Sequence, residues 1–466
     1  MLFQDNRTWC YNSQMSILGF YGGVGSVTGA NFLLDTGSVA IMVDCGLVQG
    51  DKFVRDVNYQ PFPYDPASID VLLVTHAHAD HIGRIPKLVS DGFAGVIYST
   101  PPTRDLVQVM FADSLKIMRY EAELDGREVL YEQKDVSNAL ALWKTAPYHE
   151  KIELPDGVQA VFSDAGHILG SAIVSLTRDG RSIVFTGDIG NVPQPLMNPP
   201  EIPTDYEYMI IESVYGDRLH EGVEDRTKLL QAEILDIKEK EGTLIIPAFS
   251  LERTQAMLFE INNLIESNAV AEIPVYLDSP LAIEVTDLYR RNTDYLKHSV
   301  QEQIKNGDDI FDFPGFKMTK SVEESRSIQK QKGAKIIIAG SGMSHGGRIL
   351  SHERHYLSDP DTTLLLVGYQ AVGSFGRLLA DGAGRVRIEG EMVDVKAKIV
   401  KISGYSGHAD RDQLVNFVAK GSEKVKKVFV TMGEERSSLF LVQRLRDYLG
   451  VDAIAPDINA EVEISF

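Results

Sequence analysis

The sequence predicts an α/β protein in which a strand-rich first unit is interrupted by a second unit of alternating strands and helices. Residues 15–50 read as strand, turn and strand, through SILGF, YGGVGSVTG and NFLLDTGSVAIMVDCG. After residue 216, apolar strands such as TLIIPAF alternate with amphipathic helices such as ERTQAMLFEINNLIESN, a pattern typical of a parallel sheet. The last segment, from KIVKISGYSGHAD onward, returns to strand–loop–helix units and is expected to rejoin the first unit.

The composition is that of a globular protein of two or three domains. The chain has 466 residues, of which 44% are hydrophobic and 24% charged. No apolar run reaches the length of a membrane span, and MLFQDNRTWCYNSQ lacks the basic and apolar regions of a signal peptide. We therefore expect a cytoplasmic protein without a membrane partner, and we interpret residues 1–14 as an N-terminal extension.

Charge and cysteine content exclude two classes of protein. With a formal net charge of −20, the chain cannot attract a nucleic acid through its overall field. A polyanionic substrate would need local help from bound cations, a few arginines or helix N-termini. The two cysteines, Cys10 and Cys45, are too few for a disulfide scaffold or a Cys-rich zinc finger.

Polar residues follow several predicted strands of the first unit. IDVLLVTH is a nearly continuous apolar strand that ends at His76, and a helical stretch and a long helical region around 103–143 come after it. The strands within 158–190 end near His167 and Asp188. A stiff connector with five prolines, residues 191–205, precedes the strand EYMIIESVYG. Functional groups at strand ends of a layered sheet are a familiar arrangement.

The segment VTHAHADH concentrates metal-binding side chains directly after a strand: His76, His78, Asp80 and His81. Buried polar groups are costly unless they are paired, and a cation in their midst would pair them. Imidazole and carboxylate ligands suit zinc or a similar metal. Alternate side chains of an extended segment share a face, so His76 and His78 can bind one ion. The alternative is a helix N-terminus with Asp80 as its cap and solvated histidines.

HAHADH after an apolar strand, DCG before it, AGHILGS and FTGDIG together resemble the metallo-β-lactamase fold. The resemblance implies an αββα sandwich with two zinc ions between its sheets. It assigns His76, His78 and His167 to one ion and Asp80 and His81 to the other, with Asp188 bridging them and Asp44 supporting the site. Taken singly, His167 could be a satisfied core histidine, Asp188 a turn residue and Asp44 a strand-end cap.

Further motifs resemble the β-CASP branch of this fold, a group of RNA and DNA nucleases: IESVYGDRLH, PAFSLERTQ, LDSPLA, GSGMSHGGR and GYSGHAD. The resemblance implies a metallo-β-lactamase domain over 15–215 and 400–466, with an inserted α/β β-CASP domain over 216–399. It also implies single-stranded RNA as substrate, products with a 5′-phosphate and a 3′-hydroxyl, and dimerisation.

The same resemblance assigns a proton donor and phosphate contacts. His408 would be the general acid, oriented by Glu212, and both would act with Asp80 and Asp188. Alternatively, Glu212 is a strand-end cap and His408 a loop histidine. The Gly-rich loop would hold substrate phosphate through Ser341, Ser344 and Arg348, or it is a plain tight turn.

Other cations and histidines outside these motifs have less specific roles. Arg253 and Arg377 are either phosphate contacts or surface salt bridges. We interpret His352 and His355 as solvated polar positions, not ligands.

One position departs from the family pattern. The family's last motif ends an apolar strand in His-Gly-Glu, whereas this chain has VFVTMGEE, with Met432 at the ligand position. A thioether cannot replace imidazole on zinc, so the second site is expected to be weaker or to take another divalent metal. Glu434 or Glu435 could substitute. The sequence favours an active metal-dependent ribonuclease, with a non-cleaving RNA-binding or partner subunit as the alternative and a small-molecule hydrolase as a third option.

Overall fold

The computed structural model describes residues 15–50, 56–370, 373–421 and 423–466. The predicted extension over residues 1–14 lies outside this part of the chain. Three large sheets and one two-stranded ribbon account for the strands described. None of the helices in these ranges has the length and apolar character needed to cross a bilayer.

The first sheet has seven strands and begins with the predicted strand–turn–strand segment. Its order is Ala460–Ile464, Ser16–Gly22, Asn31–Asp35, Ala40–Val43, Val71–Leu73, Val96–Ser99 and Trp143–Thr145. The DTG turn is closed by Asp35 Oδ1, which accepts from the backbone N–H of Gly37 at 2.7 Å. Gly37 has a φ of 82°, which glycine adopts without a steric penalty. From Ala40–Val43 onward the strands are parallel, so their carboxyl ends share one edge.

The second sheet also has seven strands, in the order Ala453–Ile454, Lys427–Val430, Tyr208–Ile211, Arg181–Phe185, Ala172–Arg178, Gln159–Asp164 and Lys151–Glu153. The strands from Lys151 to Phe185 form an antiparallel meander. Tyr208–Ile211 then pairs in parallel with both Arg181–Phe185 and Lys427–Val430. The C-terminal segment therefore completes a sheet that the N-terminal half begins, and Ala460–Ile464 does the same for the first sheet.

The two sheets pack face to face. Buried side chains from both inner faces, such as Phe20, Phe32, Phe162 and Phe185, form one apolar cluster between them. Helices cover the outer faces: Ala79–Ile82, Ile85–Ser90, Pro101–Asp125 and Gln133–Ala141 on the first sheet, and Arg411–Lys420 and Glu435–Leu449 on the second. This is the αββα sandwich that the sequence predicts.

The third sheet forms the inserted α/β unit. Its order is Phe316–Met318, Val275–Leu277, Lys335–Ala339, Thr243–Pro247, Thr362–Leu366 and Lys398–Lys401, and every pairing is parallel. Its helices are Val223–Glu239, Arg253–Glu266, Pro280–Arg291, His298–Lys305, Val322–Ile328, Arg348–Tyr356 and Phe375–Ala380. A ribbon of Arg385–Ile388 and Glu391–Asp394 lies beside it. Strand Lys398–Lys401 spans the predicted domain boundary at 399/400.

The sandwich and the inserted unit share an apolar core. One buried cluster runs from Val74 and Phe111 through Ile168 and Leu196 into Leu244 and Ile338 of the third sheet. Burial of apolar surface across this junction stabilises the relative placement of the two units. We refer to the space between the two units at the strand ends of the sandwich as the cleft.

Candidate metal centre

Strand ends place the metal-binding side chains at one edge of the sandwich. Val71–Leu73 ends three residues before His76, Gln159–Asp164 ends three before His167, and Arg181–Phe185 ends three before Asp188. The first strand belongs to one sheet and the other two to the opposing sheet, so the side chains meet between the sheets. The structure places these side chains close together, and their role as metal ligands stays a prediction.

Three imidazoles and one carboxylate surround a common point. His78 Nδ1 lies 3.0 Å from His76 Nε2 and 3.2 Å from His167 Nε2. Asp188 Oδ2 lies 3.4 Å from His76 Nε2 and 3.5 Å from His167 Nε2. One ligand atom from each of the four residues fits within 4.8 Å of the others. Burial lowers the pKa of all three histidines and so favours the neutral imidazole, which is the form that binds a metal.

The remaining ring nitrogens fix how these imidazoles are oriented. His167 Nδ1 lies 3.0 Å from the carbonyl oxygen of Gly407, and His76 Nδ1 lies 3.0 Å from Thr75 Oγ1. Hydrogen bonds of this kind set the tautomer and turn the other nitrogen toward a metal. The Gly407 contact also ties the cluster to the C-terminal segment.

Asp44 and Asp188 hold His81 from its two ends. His81 Nδ1 lies 2.7 Å from Asp44 Oδ2, and His81 Nε2 lies 3.4 Å from Asp188 Oδ1. Asp44 also accepts from the backbone N–H and hydroxyl of Thr75. Burial opposes protonation of His81, but the two carboxylates outweigh it and raise its pKa, so the local field favours positive charge.

Asp44, Asp80, His81 and Asp188 form a second group of polar side chains. Two of its buried atoms, His81 Nε2 and Asp188 Oδ1, lack hydrogen bonds within the described residues. Buried polar atoms are otherwise almost always satisfied. Asp80 Oδ2 lies 3.9 Å from His81 Nε2, on the same side. Asp188 thus faces the three-histidine group with one oxygen and His81 with the other, which suits a carboxylate that bridges two ions.

Met432 borders this second group. Its side chain is 2% exposed and lines a small cavity together with Asp44, His81 and Glu212. Glu434 does not supply a replacement ligand in this structure, because the hydroxyl of Tyr369 donates to its carboxylate. Glu435 is exposed in the first turn of a helix. Residue 432 therefore presents an apolar side chain to this cavity, and its identity as a vacated ligand position stays a prediction.

His408 and Glu212 adjoin the cluster. His408 Nδ1 lies 3.2 Å from Glu212 Oε1 and 3.9 Å from Asp188 Oδ2. Glu212 is held in turn by the backbone N–H groups of Ile189 and Val214. Burial opposes the charge on His408, but Glu212 and Asp188 outweigh it and raise its pKa to about 9. Its side chain remains 22% exposed, and its Nδ1 is the ring nitrogen that contacts Glu212.

The side chains of the Gly-rich loop are engaged within the protein. The buried hydroxyl of Ser344 donates to Glu353 at 2.5 Å. Arg348 Nη1 donates to Asp278 Oδ1 at 2.6 Å, and Ser341 is half-buried. Phosphate binding by these side chains stays a prediction that this geometry does not favour.

The interpretation of His352 as solvated was wrong. Its side chain is fully buried, and its Nε2 lies 2.7 Å from Asp278 Oδ2. His355 is exposed. The pattern in the sequence could not show that the helix Arg348–Tyr356 turns His352 toward a buried carboxylate 74 residues away.

Asp278 organises this region, and its isosteric replacement is expected to be costly. Its carboxylate is 0% exposed and accepts from Thr319, Ser325 and Arg348 as well as contacting His352. Asp278→Asn removes a buried charge that holds the half-buried Arg348 and the buried hydroxyls of Thr319 and Ser325, which should cost about 3 kcal/mol of unfolding free energy. Urea denaturation measures this. The exposed pair Asp236–Lys240 provides the control, because Asp236→Asn should cost under about 1 kcal/mol; equal effects would contradict the assignment.

Glu353 predicts a pH dependence of stability. Burial raises its pKa to about 8, although Ser344 donates to it. An unfolded glutamate ionises near pH 4.3 (about that of model peptides). The folded state therefore binds the proton more tightly, and this group lowers stability as pH rises between those two values. Glu353→Gln should remove up to about 2 kcal/mol of the stability lost between pH 6 and 8.5. Identical pH slopes in urea titrations of the two proteins would contradict it.

The two candidate arginines differ in environment. Arg377 is 39% exposed and pairs with Asp381, as expected of a surface salt bridge. Arg253 is 7% exposed and lies at the start of helix Arg253–Glu266, beside the cleft. Phe249, which lies in PAFSLERTQ and is 36% exposed, was not among the predicted site residues. The signal that could have found it is a large aromatic side chain just after a buried strand.

Domain families match three segments of the chain. The metallo-β-lactamase superfamily domain matches residues 33–199, and the Beta-Casp domain matches residues 254–379. A "Zn-dependent metallo-hydrolase RNA specificity domain" matches residues 392–456. Together these matches extend over most of both units.

Several proteins resemble the chain over nearly its whole length. A ribonuclease of Thermus thermophilus is 35% identical, with 90% of this chain and 94% of that protein aligned. Transcription termination factor FttA of Methanosarcina mazei is 32% identical, over 93% and 69% of the two chains. An RNase J-like protein of Methanocaldococcus jannaschii is 30% identical, over 95% and 98%.

A solved structure shares the fold. The crystal structure of a protein of unknown function from Enterococcus faecalis V583 superposes with a TM-score of 0.55 at 11% identity, over 97% of this chain and 100% of that one. The matched domains, their order, and relatives of similar length and at least 30% identity agree. The chain therefore belongs to the β-CASP family of metallo-β-lactamase-fold ribonucleases.

Proposed function

We propose that this protein hydrolyses phosphodiester bonds of single-stranded RNA with the help of bound divalent metal. The observation that carries the proposal is the convergence of His76, His78, His167 and Asp188 beside the His408–Glu212 pair. Such a site combines ligands for a cation with a proton donor, the two components that metal-assisted phosphodiester hydrolysis needs.

The residues fit zinc, with one strong and one weaker position. His76, His78 and His167 would hold the first ion together with Asp188, and the unpaired atoms His81 Nε2 and Asp188 Oδ1 would face the second with Asp80. The thioether of Met432 cannot replace an imidazole among the ligands of the second ion. When bound, the metal supplies a Lewis acid that lowers the pKa of water and stabilises charge on phosphate oxygens.

The protein's own groups would position and protonate the substrate. Glu212 holds His408 through Nδ1, which leaves Nε2 as the donor to the leaving 3′ oxygen. That proton allows the oxygen to depart as the 3′-hydroxyl of the upstream fragment, and the phosphate stays on the 5′ end of the downstream fragment. Asp188 lies close both to the three histidines and to the His408–Glu212 pair, so the candidate metal ligands and the proton donor form one connected group.

RNA as the substrate class is supported by the relatives' names and by the RNA specificity domain over residues 392–456. That segment includes His408 and Met432. Endonucleolytic cutting of single strands in the cytoplasm is our finer proposal.

The substrate proposal is tested by adding Zn²⁺ or Mn²⁺ to metal-free protein and assaying a single-stranded RNA, its duplex and a lactone. We expect metal-dependent cleavage of the single strand alone. Cleavage of the lactone without RNA cleavage would instead support a small-molecule hydrolase.

A second candidate function, RNA binding without cleavage, is favoured by Met432. Its sulfur packs against Gly23, where an added β-carbon would lie 2.4 Å from it, and no nitrogen ligand is available from that side chain. A chain that binds RNA but cleaves none with any divalent metal would establish this alternative.

Met432→His should strengthen the second metal position. The φ of residue 432 is 45°, and histidine is among the residue types enriched at positive φ. Binding of the second ion should tighten by at least about 10-fold, since even an outer-shell partner of a metal is worth that much. Calorimetric titration of metal-free protein measures it, with Met432→Leu as the volume-matched control. Equal affinities in the His and Leu variants would show that residue 432 lies outside the ligand set.

A further inference from the structure

Arg253 is a buried cation whose hydrogen-bonding capacity is largely unused. It is 7% exposed, and its Nη2 lies 3.1 Å from Glu252 Oε2. Within the described part of the chain, its Nε and Nη1 have no hydrogen-bond partner. A buried guanidinium normally satisfies its donors, because each unmade hydrogen bond carries a desolvation cost. These two nitrogens are therefore suited to an acceptor from outside the protein.

The guanidinium borders the metal centre. A β-carbon added to Gly407 would lie 3.1 Å from Arg253 Nη2 and 3.2 Å from His167 Cε1, so both side chains flank the same glycine. His167 Nε2 in turn lies 3.5 Å from Asp188 Oδ2 in the four-ligand group. A polyanion held at the metal centre would pass directly beside Arg253.

An exposed aromatic ring lies next to this arginine. Phe249 is 36% exposed, and its carbonyl oxygen accepts from Thr254, which joins the two ends of the turn that precedes the helix. A β-carbon on Gly368 would lie 3.9 Å from both Phe249 Cε2 and Arg253 Nε. A β-carbon on Gly342 would lie 2.7 Å from Phe249 Cδ2. Glycines at 342 and 407 thus let the backbone approach the pair more closely than a larger residue would allow, and Gly368 adjoins both side chains.

We propose that Phe249 and Arg253 form a nucleotide subsite, in which the ring stacks on a base of single-stranded RNA and the guanidinium binds a backbone phosphate. The substrate class rests on the function proposed above. Stacking on an aromatic ring is tolerant of base identity, and the guanidinium fork matches two phosphate oxygens. The subsite also explains how a chain of net charge −20 holds a polyanion, through a buried local cation.

The subsite is tested with the full chain in chelator, where binding is measured without cleavage. Fluorescence anisotropy compares a short labelled oligouridine with an abasic ribose-phosphate strand of the same length. We expect Arg253→Gln to weaken binding of both strands and to reduce the slope of log K against log salt by about 0.7. Phe249→Ala should weaken binding of the oligouridine about 5- to 100-fold and leave binding of the abasic strand unchanged. Arg377→Gln, at an exposed ion pair, is the matched control and should change neither.

The outcomes distinguish failure of the proposed subsite from failure of the proposed hydrolase activity. If both variants bind RNA like the wild type while the wild type cleaves it, the subsite is overturned and the hydrolase stands. If both variants bind weakly but the wild type cleaves nothing with any metal, the hydrolase is overturned and the subsite stands. A wild-type chain that binds neither strand overturns the subsite. If Arg253→Gln lowers the unfolding temperature sharply, the binding of Phe249→Ala to the oligouridine and to the abasic strand tests the subsite instead, because Phe249 is partly exposed and its replacement should not disturb folding.

Discussion

Asp188→Asn is expected to abolish both tight metal binding and RNA cleavage. Asp188 is 2% exposed and faces His76 and His167 with one oxygen and His81 with the other. Burial opposes its ionisation, but the neighbouring His81 and His76 hold its pKa well below the usual range, so a full negative charge lies among the imidazoles. An amide keeps the shape and removes that charge. We expect a loss of at least about 10³-fold in kcat/KM, since a metal's stabilisation of transition-state charge is worth several kcal/mol.

The measurement pairs metal content by mass spectrometry with single-turnover cleavage of RNA. Asp135→Asn is the control: this buried carboxylate lies in a helix capping box and outside the group of candidate metal ligands, so the substitution tests the general effect of losing a buried carboxylate. Asp135→Asn should retain its metal and its activity. An Asp188→Asn protein with wild-type metal content and rate would remove Asp188 from the site.

His408→Gln should lower the rate while leaving the metal in place. Loss of a positioned general acid costs about 10²–10⁴-fold. The geometry assigns His408 to Glu212 through its Nδ1, whereas the three-histidine group closes around Asp188 without it. Metal content should therefore stay at the wild-type level, in contrast to Asp188→Asn.

A sulfur substrate distinguishes proton donation from other roles of His408. When sulfur replaces the bridging 3′ oxygen, the leaving group departs without a proton, so His408→Gln should lose far less activity on that substrate. His149→Gln, at a side chain 63% exposed and remote in sequence, controls for loss of a histidine. An equal loss on oxygen and sulfur substrates, or loss of metal from His408→Gln, would show that His408 does not act as the acid.

Local sequence patterns predicted the parts of the site that local structure determines. An apolar strand followed by HAHADH places His76, and the same strand-then-polar pattern places His167 and Asp188, because strand ends of a two-layer sandwich share an edge. The layered α/β fold and its inserted parallel sheet follow from apolar runs and helix–strand alternation. The departure at Met432 was also visible, since its strand, Lys427–Val430, ends just before it.

Long-range contacts determined what the sequence could not show. Buried His352 contacts the carboxylate of Asp278, 74 residues away, and Arg348 donates a hydrogen bond to the same carboxylate. The environment of Arg253 is set by glycines at 368 and 407, which are distant in the chain and lie beside its guanidinium. Neither feature has a periodicity or spacing signature, because each depends on which elements the fold brings together.

Anomalous X-ray diffraction from crystals soaked in Zn²⁺ tests the metal centre most directly. We predict a strong peak among His76, His78, His167 and Asp188, and a weaker one between His81, Asp80 and Asp188 on the side of Met432. Crystals of a protein that cleaves RNA, with no peak at the four-ligand group, would contradict the account.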